Sequence, residues 1–181
     1  MIDKALTFLR DQLNAYIQVK TGVNNVVEFI NGNQFGTGAL ENNAVNLVML
    51  NLEEERTMRT LRDVPQGCAP DVKMNVNVLF AARFSQYVRS LENLSWVIKF
   101  FQGSPVFTSS DQPTLDPEVQ KLSMELLRLP VSETNGSWEL SRLSYPPSVL
   151  YRARLLVLRD DSPVAAAPDI TDIGSNATVN N

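Results

Sequence analysis

"DVKMNVNVLF", residues 71–80, alternates without a break: Val72, Met74, Val76, Val78 and Phe80 share one face, and Lys73, Asn75 and Asn77 the other. A period of two is the pattern of a half-buried strand. The chain then runs into "RFSQYVRSLENLSWVIKFFQG" (83–103), where the period changes to that of a helix. Phe84, Val88, Leu91, Leu94, Ile98 and Phe101 form its predicted stripe. Tyr87, Trp96 and Phe100 widen it, and Gly103 is a natural stop. So broad an apolar surface predicts a helix covered on more than one side.

Upstream, "IDKALTFLRDQLNAYIQVK" (2–20) puts Leu6, Leu9, Leu13, Tyr16 and Ile17 on one helical face, with Ile2 and Ala5 leading in. Asp3 and Lys20 suit the helix dipole, and Gly22 suits a C-cap. "VVEFI" (26–30) reads as a short strand and "NGNQFGTG" (31–38) as a loop. The latter's "GTG" lacks the third glycine and the following helix of a dinucleotide fingerprint. "AVNLVMLNL" (44–52) reads as a well-buried strand.

Downstream, "SPVFTS" (104–109) predicts a short strand and "SDQPTLDP" (110–117) a proline-broken loop. "VQKLSMELLRL" (119–129) carries Leu122, Met124 and Leu126 at period two and reads as a strand, with a helix as competitor. "PVSETNGSWELSRLS" (130–144) fits either a hairpin at Asn135-Gly136 or a short helix capped by Ser132. "YPPSVLYRARLLVL" (145–158) is the last strand. Val149, Tyr151, Ala153, Leu155 and Val157 share one face. Leu150, Arg152, Arg154, Leu156 and Leu158 share the other, which is apolar at both ends and cationic in the middle. The order of helix, strands, helix, strands predicts an α+β fold with a mainly antiparallel sheet packed against helices. Residues 1–160 form one domain in this reading, and 161–181 a small, polar, flexible or partner-ordered C-terminal tail.

The chain has 181 residues, 44% hydrophobic and 20% charged, which suits one domain with a real core. No apolar run approaches the roughly 18 residues that cross a bilayer. The charged N-terminus does not read as a signal peptide, so folding in a cytosol is expected. A formal charge of −4 with scattered basic residues argues against nucleic acid. There is no histidine and a single cysteine, Cys68. These counts exclude His-based triads, His-containing zinc sites and an intrachain disulfide. Cys68, in the turn-rich "PQGCAP" (65–70), reads as a passive loop residue. The composition thus points to no enzyme, no cofactor and no metal.

Glu53, Glu54, Glu55, Arg56, Arg59 and Arg62 form a charged run. Paired carboxylates can do acid–base work, but mixed neighbouring charges are the signature of a solvated or protein-facing surface. Glu53, Glu54, Glu55, Arg56 and Arg59 are therefore candidate protein contacts. So are Arg152 and Arg154, because a face of mixed Leu and Arg is typical of a protein interface. Asp160 and Asp161, where the tail leaves the last strand, complete the set.

Four stretches, in this order and spacing, resemble one family: "MIDKALTFLRDQLNAYI", "NLVMLNLEEE", "VNVLFAARFSQYVRSLENLSWVIKFFQGSPVF" and "YPPSVLYRARLLVL". They are similar to the N-terminal domain of the tail-terminator, or cap, proteins of extracellular contractile injection systems, which are phage-tail-like particles. The resemblance covers about residues 1–160. It implies a phage tail-terminator-like fold and a six-fold homo-oligomeric ring at the tail end distal to the baseplate. It implies as partners the last layers of inner-tube and sheath protein, with no membrane insertion and no small-molecule substrate. It places the chain in a bacterial cytoplasm during assembly, and outside the cell once a particle is released. The chain departs from the family pattern at "SETNGSW" (132–138), where Gly136 interrupts the short helix expected before Pro146-Pro147. From the residues alone, an intracellular protein-binding adaptor without a particle is the alternative.

Overall fold

A computed structural model describes residues 1–30, 40–55, 72–128 and 146–157. Its first helix, α1 (Ile2–Thr21), buries Ala5, Leu6, Leu9, Leu13 and Ile17 as the sequence predicts; Phe8, outside the predicted stripe, is buried too, and Tyr16 and Ile2 are only partly covered. It ends at Gly22, whose φ of 73° is the left-handed geometry of a C-cap. Strands β1 (Val27–Phe29), β2 (Ala44–Glu54) and β3 (Val72–Arg83) follow, then α2 (Tyr87–Gly103). The chain continues with β4 (Val106–Thr108), β5 (Val119–Leu127) and β6 (Ser148–Val157). Residues 119–127 are thus a strand and not a helix. The masses of sequence at 31–39, 56–71, 129–145 and 158–181, with the readings placed on them, lie outside the described residues.

One sheet holds all six strands in the order β1-β2-β3-β6-β5-β4. Every pair is antiparallel except β1 with β2, which is parallel. The last strand is therefore central, inserted between β3 and β5. One helix touches both edges of this sheet. The Phe8 ring meets Phe107 of β4 edge-on at 5.3 Å, and Asn14 bonds the backbone of Val27 in β1. Six residues of helix span about 9 Å, whereas six strands laid flat span about 24 Å. The sheet therefore curls around α1.

The concave face carries the main core. Phe80 of β3 and Tyr151 of β6 meet Phe101 of α2 at 5.6 and 4.8 Å, and Phe100 stacks on Phe107 at 6.0 Å. Tyr16 of α1 packs on Trp96 and Phe100, so α2 is covered by both the sheet and α1. Its covered face differs from the predicted stripe. Ser90, Asn93, Leu94, Val97, Phe100 and Phe101 are buried, while Val88 and Leu91 are exposed and Phe84 precedes the helix. Ser90 and Asn93 tolerate burial because each is satisfied locally. The Phe84 N–H donates to Ser90 Oγ, and Asn93 Nδ2 donates to the Arg89 carbonyl.

A second correction concerns β2. Its first five residues are buried, but Met49 and the residues after Leu50, which lie beyond the stretch Val45–Leu47 paired with β1, are largely exposed. Residues 44–48 are buried on both faces. On the convex face Leu40, Val48, Leu79, Ala81 and Leu150 form a small second core. Fully buried Asn46 holds it closed. Its Oδ1 accepts the Glu41 N–H at 2.8 Å, and its Nδ2 reaches the Glu41 and Ala81 carbonyls at 3.2 and 3.3 Å.

Candidate protein-interaction face

Strand alternation sends Val149, Tyr151, Ala153 and Leu155 into the concave core and Arg152 and Arg154 onto the convex face, as the sequence predicts. The registers then build rows across that face. Glu53, Asn75, Arg154 and Ser123 stand in one row, and Asn51, Asn77, Arg152 and Glu125 in the next. Lys73 and Lys121 flank Leu156 in the row beyond. Glu53 and the two arginines, separated by about a hundred residues of sequence, thus share one surface, because β3 lies between β2 and β6.

Within this surface, Arg154 Nη2 lies 2.7 Å from Glu125 Oε2, a diagonal pair with both side chains about half exposed. An exposed pair of this kind contributes about 0–1 kcal/mol. Glu125 is directly opposite Arg152 in the register, but its carboxylate is engaged by Arg154. Arg152 Nε is shielded from water with no partner, and so are Asn75 Oδ1 and Asn77 Oδ1. Native structures hold few such groups, and these three lie together at the centre of the strip.

Glu53 accepts from Asn51 Nδ2 at 2.7 Å at the β2 margin. Glu54 falls on the opposite parity, in register with Met74, and Glu55 is tied by its backbone N–H to the Lys73 carbonyl at 2.9 Å. The acidic run is therefore split between the two faces of a strand and does not converge on one point. Arg56, Arg59, Asp160 and Asp161 lie outside the described residues. Sequence reading missed Glu125, Lys121, Lys73 and the two asparagines. The period of two in β3 and β5 holds that signal, but it needs the strand order to become a site.

Elsewhere, a shallow groove is lined by Asp3, Lys4, Asp11 and Asp116. Lys4 Nζ sits 2.7 Å from Asp116, and this hydrogen bond holds the Asp116 carboxyl below the usual carboxylate range. An acid held ionised in this way is a poor proton donor at neutral pH. Among the described residues, no cluster of three or more Cys, Asp or Glu side chains could hold a metal, and no helix is long and apolar enough to cross a membrane. Tyr87, Val88 and Leu91 leave an apolar patch on α2, at 66, 63 and 43% exposure.

Residues 5–172 match the model of the Pvc16 N-terminal domain. The chain belongs to the Pvc16 N-terminal domain family. A comparison with curated protein sequences finds no match. Among solved structures, the chain is similar to the sheath/tube terminator of an extracellular contractile injection system, PVC, in its extended state. The TM-score is 0.57 at 12% identity, over all of this chain and 64% of the other. The chain thus spans less than two thirds of that protein's length, and at this identity the likeness is one of fold. It bears out the α+β, terminator-like architecture, and the match over residues 5–172 bears out the family resemblance.

Proposed function

We propose that this chain is a structural, non-enzymatic cap of a contractile injection system. Six copies form a ring that terminates inner tube and sheath at the end distal to the baseplate. The observation that carries this reading is the likeness of the entire chain to a sheath/tube terminator, within a family matched over 5–172. A terminator must satisfy the open end of a polymer without presenting a new one, and a closed ring with two different faces does so. The chain offers two unlike surfaces for such contacts. One is the convex strip with Arg152 and Arg154, and the other is the apolar patch of Tyr87, Val88 and Leu91 on α2. Heterologous contacts between unlike patches are what a ring requires, whereas a self-complementary patch makes dimers. Glu53, on the convex face, is a further contact in this reading, and Glu54, Glu55, Arg56, Arg59, Asp160 and Asp161 remain candidate contacts by sequence.

Electron microscopy of particles assembled without the chain tests the proposal. Tubes and sheaths of uncontrolled length, or particles that shed their sheath, are expected. Particles of normal length that keep their sheath would overturn it.

A further inference from the structure

We infer that two open edges of the sheet are mates: β4 of one copy pairs in parallel with the overhanging end of β2 of a second copy, joining copies head to tail. The first observation is unpaired backbone. The Met124 N–H donates to the Pro105 carbonyl and the Ser109 N–H to the Gln120 carbonyl, so Val106 and Thr108 face away from β5. The Val106 N–H and carbonyl and the Thr108 N–H have no partner among the described residues. On β2, an 11-residue strand, β1 pairs with only Val45–Leu47. Beyond the irregularity between Met49 and Asn51, the Glu55 N–H bonds the Lys73 carbonyl, so Glu53 and Glu55 face β3 and Leu52 faces outward. The Leu52 carbonyl has no partner among the described residues, and its N–H is held only by the adjacent side chain, Asn51 Oδ1 at 2.8 Å. Open edges of this kind template pairing with another chain. The outer edge of β1, by contrast, is closed at Val27 by Asn14.

The second observation is direction. The antiparallel pairs from β2 through β3, β6 and β5 to β4 leave β2 and β4 running the same way. The outward-facing residues of β4 carry their side chains on the convex side, opposite to core residue Phe107, and Leu52 carries its own on the concave side, in register with Val76. Two such edges fit as a parallel pair with the convex faces continuous, the arrangement β1 already makes with β2. β4 then fills the slot that β1 begins. Placing Phe107 against Leu52 turns the Thr108 N–H to the Leu52 carbonyl, and the Val106 carbonyl to the Leu52 N–H once Asn51 releases it. The third observation is charge. This register sets Thr108 between Glu53 of one copy and Lys121 of the other, because Lys121 lies opposite Thr108 on β5. Both are exposed, and two strand spacings of about 10 Å are within reach of their side chains. The Asp111 carboxylate beside this row accepts the Thr108 hydroxyl. Val106 and Leu52, 46 and 42% exposed, are covered on joining. A second copy is the occupant because one sheet carries both halves, on opposite flanks and in the same sense. Each copy gives one edge and takes one, a heterologous contact, and only its closure into a ring rests on the cap reading.

Cysteine cross-linking in the full chain, on assembled particles, tests the inference. In a Cys68→Ser background, a chain with Val106→Cys is combined with a chain carrying Asn51→Cys, its neighbour in the joined sheet. The control combines Val106→Cys with Val19→Cys, 82% exposed on α1. The β4–β2 pair is expected to close between chains at least about tenfold faster than the control or than either chain alone. If either variant fails to fold, Thr108→Cys with Glu53→Cys replaces the pair. Val106→Pro removes an N–H that faces away from β5, which an edge strand tolerates. Tested with that second pair, it should leave the thermal transition in place and slow cross-linking at least about tenfold. Where particles do not carry the chain, the same advantage is required of the concentrated chain in solution. Rates equal to the control, or an advantage untouched by Val106→Pro, would overturn the inference. Homodimers of the Val106→Cys chain as the main product would overturn it too, in favour of β4 pairing with itself. Length-controlled particles that carry the chain without cross-linking contradict this pairing and leave the cap reading standing. Cross-linked chains that particles do not need for normal length and sheath do the reverse.

Discussion

Asn14 of α1 serves as a hydrogen-bonding partner for the edge of the sheet. Its Nδ2 donates to the Val27 carbonyl at 2.9 Å, and its Oδ1 accepts the Val27 N–H at 2.8 Å. β1 pairs with β2 on its other side, where Val45 N–H donates to the Val26 carbonyl at 2.7 Å. The outward-facing groups of Val27 therefore depend on one amide. Val27 is 1% exposed, so removing that amide strands a donor and an acceptor away from water. Two neutral hydrogen bonds at about 1 kcal/mol each, plus incomplete resolvation of the stranded groups, put Asn14→Ala at about 2–3 kcal/mol. Asn14→Asp keeps an acceptor for the N–H but sets a charged oxygen against the carbonyl. It should cost at least as much at neutral pH and recover as the pH falls and the carboxyl gains a proton. Urea unfolding followed by circular dichroism measures the stability, and amide exchange at Val27 reports the local bond. A loss below about 0.5 kcal/mol for Asn14→Ala, the range of an ordinary surface change, with Val27 exchange unaltered, would refute the account of how α1 holds the curled edge.

Other expectations follow from the same packing. Phe101→Ala removes a ring packed on Phe80, Tyr151 and Phe100 and should cost about 3–5 kcal/mol, whereas Leu91→Ala on the exposed patch should stay within about 0.5 kcal/mol. Thermal or urea unfolding of the pair checks which face of α2 is buried. Burial pushes the Tyr151 hydroxyl up to about 12. The unfolded chain, near 10, then loses its proton first, so stability should fall as pH rises from about 10 to about 12, by up to about 2–3 kcal/mol. Tyr151→Phe should flatten that part of the stability–pH profile. Changing Arg152 and Arg154 together to alanine removes one exposed ion pair and should shift unfolding by no more than about 1 kcal/mol. Incorporation into particles, measured by sedimentation, should fall far more.

What the sequence could reveal depended on how each residue's environment is set. β3 and β6 are readable because alternation alone decides which side chains enter a core on one face of a sheet. The buried side of α2 is not. Apolar residues occupy most of its circumference, and Ser90 and Asn93 enter the interior by satisfying themselves locally, a compensation no hydropathy pattern displays. The three residues of β1 are too few for a period, and their outer edge is bonded by Asn14, thirteen positions away. The convex strip was half visible. Arg152 and Arg154 stood out as cations within an apolar strand, but Glu125 and Lys121 join them only because β6 inserts between β3 and β5, and that pairing is a long-range choice.

The most direct test of the cap reading is cryo-electron microscopy of an intact particle carrying this chain with a small rigid tag. The account predicts six tags in a ring at the end distal to the baseplate, with the convex strip turned toward a neighbouring protein. Tags at the baseplate, or particles carrying none, would contradict it.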